Sequence, residues 1–199
     1  VIKGHKTGYF LDHRDNRRRV GNFSKGKTVL DVFSYAGGFS VHALANGATE
    51  VTSLDISKQA LDLARANGKL NSYKGQHKTI SGDAFLVKKD LIKNGKRFDV
   101  VVIDPPSFAK QQSEIDLAKK KYAQLASFGA QLTAKNGLLV LASCSSRVLA
   151  QAFFDLNIQA LNAQTRLYET ILKTKHDSDH PISFPEGAYL KCGYYRFLE

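Results

Sequence analysis

Five features able to do chemistry recur at one kind of place in this chain: Asp31 with the pair Gly37 and Gly38, then Asp55, Asp83, Asp104 and Cys144. Most of them close or interrupt an apolar run. Asp31 is enclosed by Val29, Leu30, Val32 and Phe33; Asp104 ends a run that Pro105 and Pro106 stop abruptly; Cys144 follows the apolar residues 138–142. Carboxylates gathered at neighbouring strand ends repel one another and each needs a partner, so they suit a ligand bearing hydroxyls and amines. The glycine pair lets the backbone approach such a ligand and opens the N–H groups of a following helix toward it. A thiol in the same row adds a nucleophile.

Continuous apolar runs of this kind predict buried parallel strands, at residues 28–33, 50–54, 77–81, 98–103 and 138–142. Helical patterns alternate with them. The first is expected to start near Asp15 or Asn16, with either side chain as its cap, and Arg17, Arg18 and Arg19 cannot all share one face of it. Later helices are expected over residues 39–45 (stopped by Asn46-Gly47), from a cap at Ser57, after Asp83, over 114–134 and over 147–161, with Asn136-Gly137 as a turn. Two late strands, 167–172 and 189–197, have no helical pattern between them and read as a closing hairpin. The expected fold class is therefore α/β: a doubly wound, mostly parallel seven-stranded sheet with one antiparallel strand near the C-terminus. In such sheets ligands sit beyond the carboxyl ends of the strands, where the five features fall.

The 199 residues fit one domain, and no apolar run is long enough to span a membrane. A net charge of +11 favours a polyanionic partner, nucleic acid before a membrane surface. The two cysteines form neither a disulfide framework nor a zinc site, so a cytoplasmic location without a metal is expected. The chain opens at Val1 and contains no Met, which reads as a domain of something longer.

Neither the dinucleotide fingerprint GxGxxG nor the phosphate loop GxxxxGK[ST] is present. Asp55, about 20 residues past the first turn, has the spacing of an acid that holds ribose hydroxyls. A nucleoside without phosphates matches both facts, and S-adenosylmethionine is such a cofactor.

The segments GYFLDHRDNR, TVLDVFSYAGGFSVHALANGA, VTSLDIS, GDAF, FDVVVIDPPSFAK, LASCSS and DHPISFPEGAYLK cover nearly the whole chain. In that order they resemble the bacterial large-subunit ribosomal RNA 5-methylcytosine methyltransferases, class I S-adenosylmethionine-dependent enzymes. The resemblance implies that Asp31, Ser34, Gly37 and Gly38 hold the methionine moiety and Asp55 the ribose. Asp83 and Ala84 would face the adenine, Asp104 and Pro105 the gap between methyl group and base, and Arg14 either cofactor or RNA. The turn lacks the DxGxGxG pattern of the wider fold. Family members usually carry a further N-terminal RNA-binding domain, so residues 1–199 are expected to be the methyltransferase domain of a longer protein, whose oligomeric state, a homodimer included, the sequence leaves open.

C5 of cytosine is a poor nucleophile, and a thiolate added at C6 turns the ring into an enamine that attacks an electrophilic methyl. Cys144 is the thiol in position for this, with Asp104 at the N3/N4 edge. Many related enzymes have a second cysteine where this chain has Ser107, so no base is assigned for the C5 proton. Cys192, mid-strand, reads as packing, and the lysines 119–121 as a solvated face able to touch phosphates. Two other readings stand beside this one: a guanine N7 or N2 methyltransferase without covalent catalysis, and a module that binds RNA or cofactor without turnover.

Overall fold

The computed structural model describes residues 8–198. Helix α1 (Arg14–Phe23) leads into β1 (Thr28–Val32), α2 (Gly38–Ala45), β2 (Glu50–Asp55), α3 (Lys58–Lys69), β3 (Gln76–Ser81), α4 (Ala84–Lys93) and β4 (Phe98–Ile103). A long α5 (Ile115–Leu132), β5 (Thr133–Ser143), α6 (Ala150–Asn162), β6 (Tyr168–Thr174) and β7 (Lys191–Phe197) complete it. The strands form one seven-stranded sheet in the order β3-β2-β1-β4-β5-β7-β6. Strands β1 to β5 pair in parallel, and β7 runs antiparallel to both β5 and β6. The expected fold class therefore holds, and the single reversed strand is the last one, inserted inside the sheet rather than added to its edge.

The central strands are apolar on both sides because helices cover both faces. One core gathers Leu30, Val101, Ile103 and Leu139 with Tyr122 and Phe153; the other gathers Val29, Val100, Val102 and Val140 with Phe39 and Tyr194. Each fully buried large aliphatic side chain contributes about 1.5–3 kcal/mol relative to exposure. The α5 face carrying Ala118, Leu125, Ala126 and Gly129 lies so close to the sheet that a Cβ on Gly129 would meet Leu139 Cδ1 at 2.4 Å.

Three local expectations are corrected. The N-cap of α1 is His13, with no side-chain cap bond. Asp15 instead accepts from Arg18 and Arg19, and Asn16 is buried, where its carbonyl oxygen accepts from Thr174 and Tyr194. The Asn136-Gly137 turn is an irregularity inside a longer β5, with Asn136 at φ 58° and a register shift opposite residues 98–100. Helix α6 starts at Ala150 rather than residue 147, because Ser145 to Leu149 form the connection held beneath β7. The cap at Ser57 forms as expected, its Oγ accepting from Ala60 N.

Candidate functional site

The turn after β1 is the most constrained backbone in the chain. Phe33 and Tyr35 sit at φ 63° and 46°, a left-handed region that non-glycine residues enter at a cost, and Gly37 follows at φ 77°. Neighbouring elements hold it: Ser34 N donates to Leu54 O at 3.1 Å, Asn67 Nδ2 to Ala36 O at 2.9 Å, and Tyr35 N to the Asp55 carboxylate at 2.9 Å. Gly37 must be glycine on two counts, its φ and the 2.8 Å that a Cβ would leave to Ala64 Cβ.

Beneath the turn, Asp31 is 1% exposed. One carboxylate oxygen accepts from Ser40 N and Oγ at 3.0 and 2.6 Å; the other is buried without a partner. Burial pushes this carboxyl up to about 7 against the pull of Ser40, with Asp104 and Asp55 adding like charge. From Ser40 a buried chain continues through Ser53 to the His77 ring, at 2.6 and 2.8 Å.

A cavity of about 610 Å³ opens above this floor. On one side stand Ser34, Tyr35, Gly38, Asp55, Ile56 and Ala60; on the other Asp104, Pro105, Pro106 and Cys144. Helix α1 and the residues before it close the gap with Tyr9, Phe10, Asp12, His13 and Arg17. Asp55 offers one oxygen to Tyr35 N and the other to Ser57 N, each at 2.9 Å, so both are aimed and each keeps a free lone pair. Arg17 is 5% exposed, lies over the Tyr9 ring at 4.5 Å and donates to Phe10 O at 2.7 Å, leaving its Nε unpartnered. A Cβ on Gly38 would stand 2.9 Å from Arg17 Cδ.

Asp104 and Cys144 lie just past the paired ends of β4 and β5, where Ile103 is in register with Leu141. His13 Nε2 approaches Asp104 Oδ1 at 3.3 Å. Burial pulls that imidazole down and Asp104 pushes it up, with the balance upward. Cys144 Sγ is 3.9 Å from Pro105 O. Burial, then Asp104 and Asp12, push the thiol up to about 11.

Of the residues singled out in sequence, Ser34, Gly38, Asp55, Asp104, Pro105 and Cys144 line this one cavity. Asp31 lies under it and Gly37 packs against α3. Asp83 and Ala84 are not among its lining residues. Asp83 is the N-cap of α4, accepting from Phe85 N at 2.7 Å, and Ala84 is buried. Arg14 points elsewhere, pairing with Asp177 and Asp179 at 3.1 and 2.8 Å. Cys192 is fully buried in the core. Sequence reasoning did not assign Tyr9, Asp12, His13 or Arg17 to the site; the available signal was arginine beside aromatics in GYFLDHRDNR. Among the described residues no helix is long and apolar enough to cross a membrane, and no group of three His, Cys, Asp or Glu stands ready for a metal.

A family model described as S-adenosylmethionine-dependent methyltransferase matches residues 1–169. The chain is 43% identical over 193 residues to a Deinococcus radiodurans protein named ribosomal RNA large subunit methyltransferase, covering 96% of this chain and 47% of that protein. It is 39% identical over 194 residues to ribosomal RNA large subunit methyltransferase I of Aeromonas salmonicida, covering 96% and 49%. The chain thus spans about half the length of the curated relatives it matches. Among solved structures, a Streptococcus mutans protein assigned as an S-adenosylmethionine-dependent methyltransferase is 28% identical with a TM-score of 0.84, over 96% of this chain and 50% of that one.

Proposed function

The chain belongs to the S-adenosylmethionine-dependent methyltransferase family, and from that premise we propose that it methylates C5 of a cytosine in large-subunit ribosomal RNA through a covalent adduct at Cys144. The observation that carries this reading is one cavity with a ribose-type acid, Asp55, on one wall and a thiol beside a carboxylate, Cys144 and Asp104, on the other.

The residues fit the cofactor. S-adenosylmethionine, when bound, supplies an electrophilic methyl group. Asp55 has lone pairs left for the ribose hydroxyls, and Arg17 carries a buried positive charge suited to the amino acid's carboxylate. The unpartnered oxygen of Asp31 and the unpartnered Ser34 Oγ are orphans of the kind a polar ligand satisfies. Asp83 and Ala84 belong to the adenine side in this reading, and Arg14 to the RNA side.

On the substrate side, Cys144 as thiolate adds to C6 of the base, and the displaced electron pair makes C5 the nucleophile. Asp104, steadied by His13 Nε2, accepts a hydrogen bond from the N4 amine and relays to N3 the proton that Cys144 gives up. Once C5 carries the methyl, loss of the C5 proton to water and of the N3 proton back to Asp104 re-forms the C5–C6 double bond and expels the thiolate. The net charge of +11 suits a polyanionic substrate, and relatives of 43% and 39% identity bear names of large-subunit ribosomal RNA methyltransferases.

The test is an RNA containing 5-fluorocytosine at the target, whose fluorine cannot leave as the proton does. A denaturation-resistant protein–RNA adduct that requires cofactor and disappears in Cys144→Ala is expected. Cytosine methylation surviving in Cys144→Ala overturns the covalent mechanism. A second reading, a guanine N7 or N2 methyltransferase with no adduct, is favoured by the thiol's upward displacement to about 11. Nucleoside analysis of methylated rRNA separates the two by the base that gains the label.

A further inference from the structure

Lys191, the first residue of β7, is buried at 2% exposure. Its ammonium donates to the carbonyls of Ser145, Val148 and Tyr189, the last two at 2.6 and 3.1 Å, which uses all three of its hydrogens. Among the described residues it makes no ion pair with a carboxylate. A buried cation without a counter-ion is costly and is retained where its charge is used. Uncharged donors would tie the same carbonyls at lower cost.

What surrounds this charge indicates its use. Lys191 is in register with Ser143, the residue before Cys144, and two of its three acceptors, Ser145 and Val148, lie in the connection that follows Cys144. The connection is braced from the other side by Ser143 Oγ, which donates to Tyr122 Oη at 2.9 Å and accepts from Ser145 N at 3.3 Å. The groups that act electrostatically on Cys144 are Asp104 after β4, Asp12 before α1, Tyr122 on α5, Tyr189 before β7, and Lys191. Burial and both carboxylates oppose a thiolate and outweigh Lys191, the cation that favours one.

We propose that Lys191 is the positioning cation of the thiol site: it fixes the backbone on either side of Cys144 and supplies positive charge that offsets part of the push of Asp104 and Asp12 against a thiolate. The inference rests on the reading of Cys144 as the nucleophile. It adds that the ionisation depends on a residue that never touches the base. Lys191 itself is lowered to about 8, chiefly by burial, so its charge is present below that pH and fades above it. The nearby His176 imidazole is pushed down by burial first, then by His180, with Lys191 a lesser contributor.

The experiment follows alkylation of Cys144 by iodoacetamide from about pH 6.5 to 11 in the folded protein, read by mass spectrometry on the Cys144 peptide. Cys192, fully buried, serves as the internal unreactive control. Lys191→Gln, which keeps donors but removes the charge, is expected to slow alkylation at least about threefold at pH 7.5 and to converge on the wild-type rate well above pH 8, where the wild-type lysine is neutral too. Lys191→Arg is expected to keep the wild-type rate at pH 7.5. A Lys191→Gln variant that melts cooperatively and alkylates at the wild-type rate below pH 8 overturns the proposal, because a purely structural lysine leaves that rate in place. Wild-type protein gives an independent reading where neither variant folds. The logarithm of the rate is expected to rise with pH, flatten near pH 8 as Lys191 loses its proton, and rise again; an unbroken slope refutes the coupling. Failure of the nucleophile reading is separately visible, as a fluorocytosine RNA that traps nothing on the wild type.

Discussion

Replacing Asp55 by Asn tests the cofactor wall with the least disturbance of shape. The carboxylate bonds Tyr35 N and Ser57 N at 2.9 Å each, and those bonds aim its remaining lone pairs into the cavity. An amide keeps one acceptor oxygen and turns an NH2 toward either a backbone N–H or the ligand's hydroxyl. At least one charge-assisted bond to each ribose hydroxyl is therefore lost or weakened, at about 1.5 kcal/mol apiece. The sum, about 3 kcal/mol, corresponds to roughly 100-fold weaker binding. Because Asp55 also pins Tyr35 at φ 46°, part of the loss appears as stability, and thermal melting of the unliganded protein measures that part. Isothermal titration with S-adenosylhomocysteine reads the rest. A dissociation constant within threefold of wild type, with the melting temperature lowered, would show that Asp55 holds the turn and not the ligand, and would refute the assignment.

Gly38→Ala places a methyl 2.9 Å from Arg17 Cδ and 3.2 Å from the Tyr9 hydroxyl, so Arg17 must shift from the position in which it bonds Phe10 O and covers the Tyr9 ring. About tenfold weaker cofactor binding is expected in the same titration, with unchanged affinity as the contrary result. Asp31 gives a pH signature of unusual sign. Its native carboxyl stands near 7, so the native state holds a proton that the unfolded chain releases near pH 4, and the stability from this group is full below about pH 4 and lost as pH rises through about 7. Asp31→Asn is expected to flatten that part of the stability–pH curve in urea unfolding; an identical slope counts against the raised carboxyl. Gly129→Ala drives a Cβ to 2.4 Å from Leu139 Cδ1 and should cost about 1–3 kcal/mol in the same unfolding assay, an effect below 0.5 kcal/mol contradicting the close approach of α5 to the sheet.

The sheet and the row of polar strand ends were legible because buried parallel strands are written as unbroken apolar runs, and Asp104 and Cys144 stand where two such runs stop. The same local code hid other parts of the site. Arg17, Arg18 and Arg19 are chemically alike, and only the contact of α1 with Tyr9 and Phe10 turns Arg17 inward while its neighbours pair with Asp15. His13 reads as a loop residue until α1 is laid across the end of β4. Lys191 looks like a solvated edge lysine, and its burial follows from the insertion of β7 beside β5, a contact far apart in sequence. The Asp83 position was legible as a strand end, whereas its engagement with Phe85 N depends on where α4 begins.

That insertion also orders events in time. Strand β6 pairs only with β7, and β7 is made after it, so during synthesis β6 has no sheet to join until the chain has grown past Phe197. The elements around Asp31 and Asp55 are complete more than a hundred residues earlier by sequence position and can form from nearest-neighbour strands. Lys191 arrives with β7, so the backbone around Cys144 is locked last. A growing chain thus completes the strands that carry Asp31 and Asp55 well before the strand whose lysine braces the backbone around Cys144.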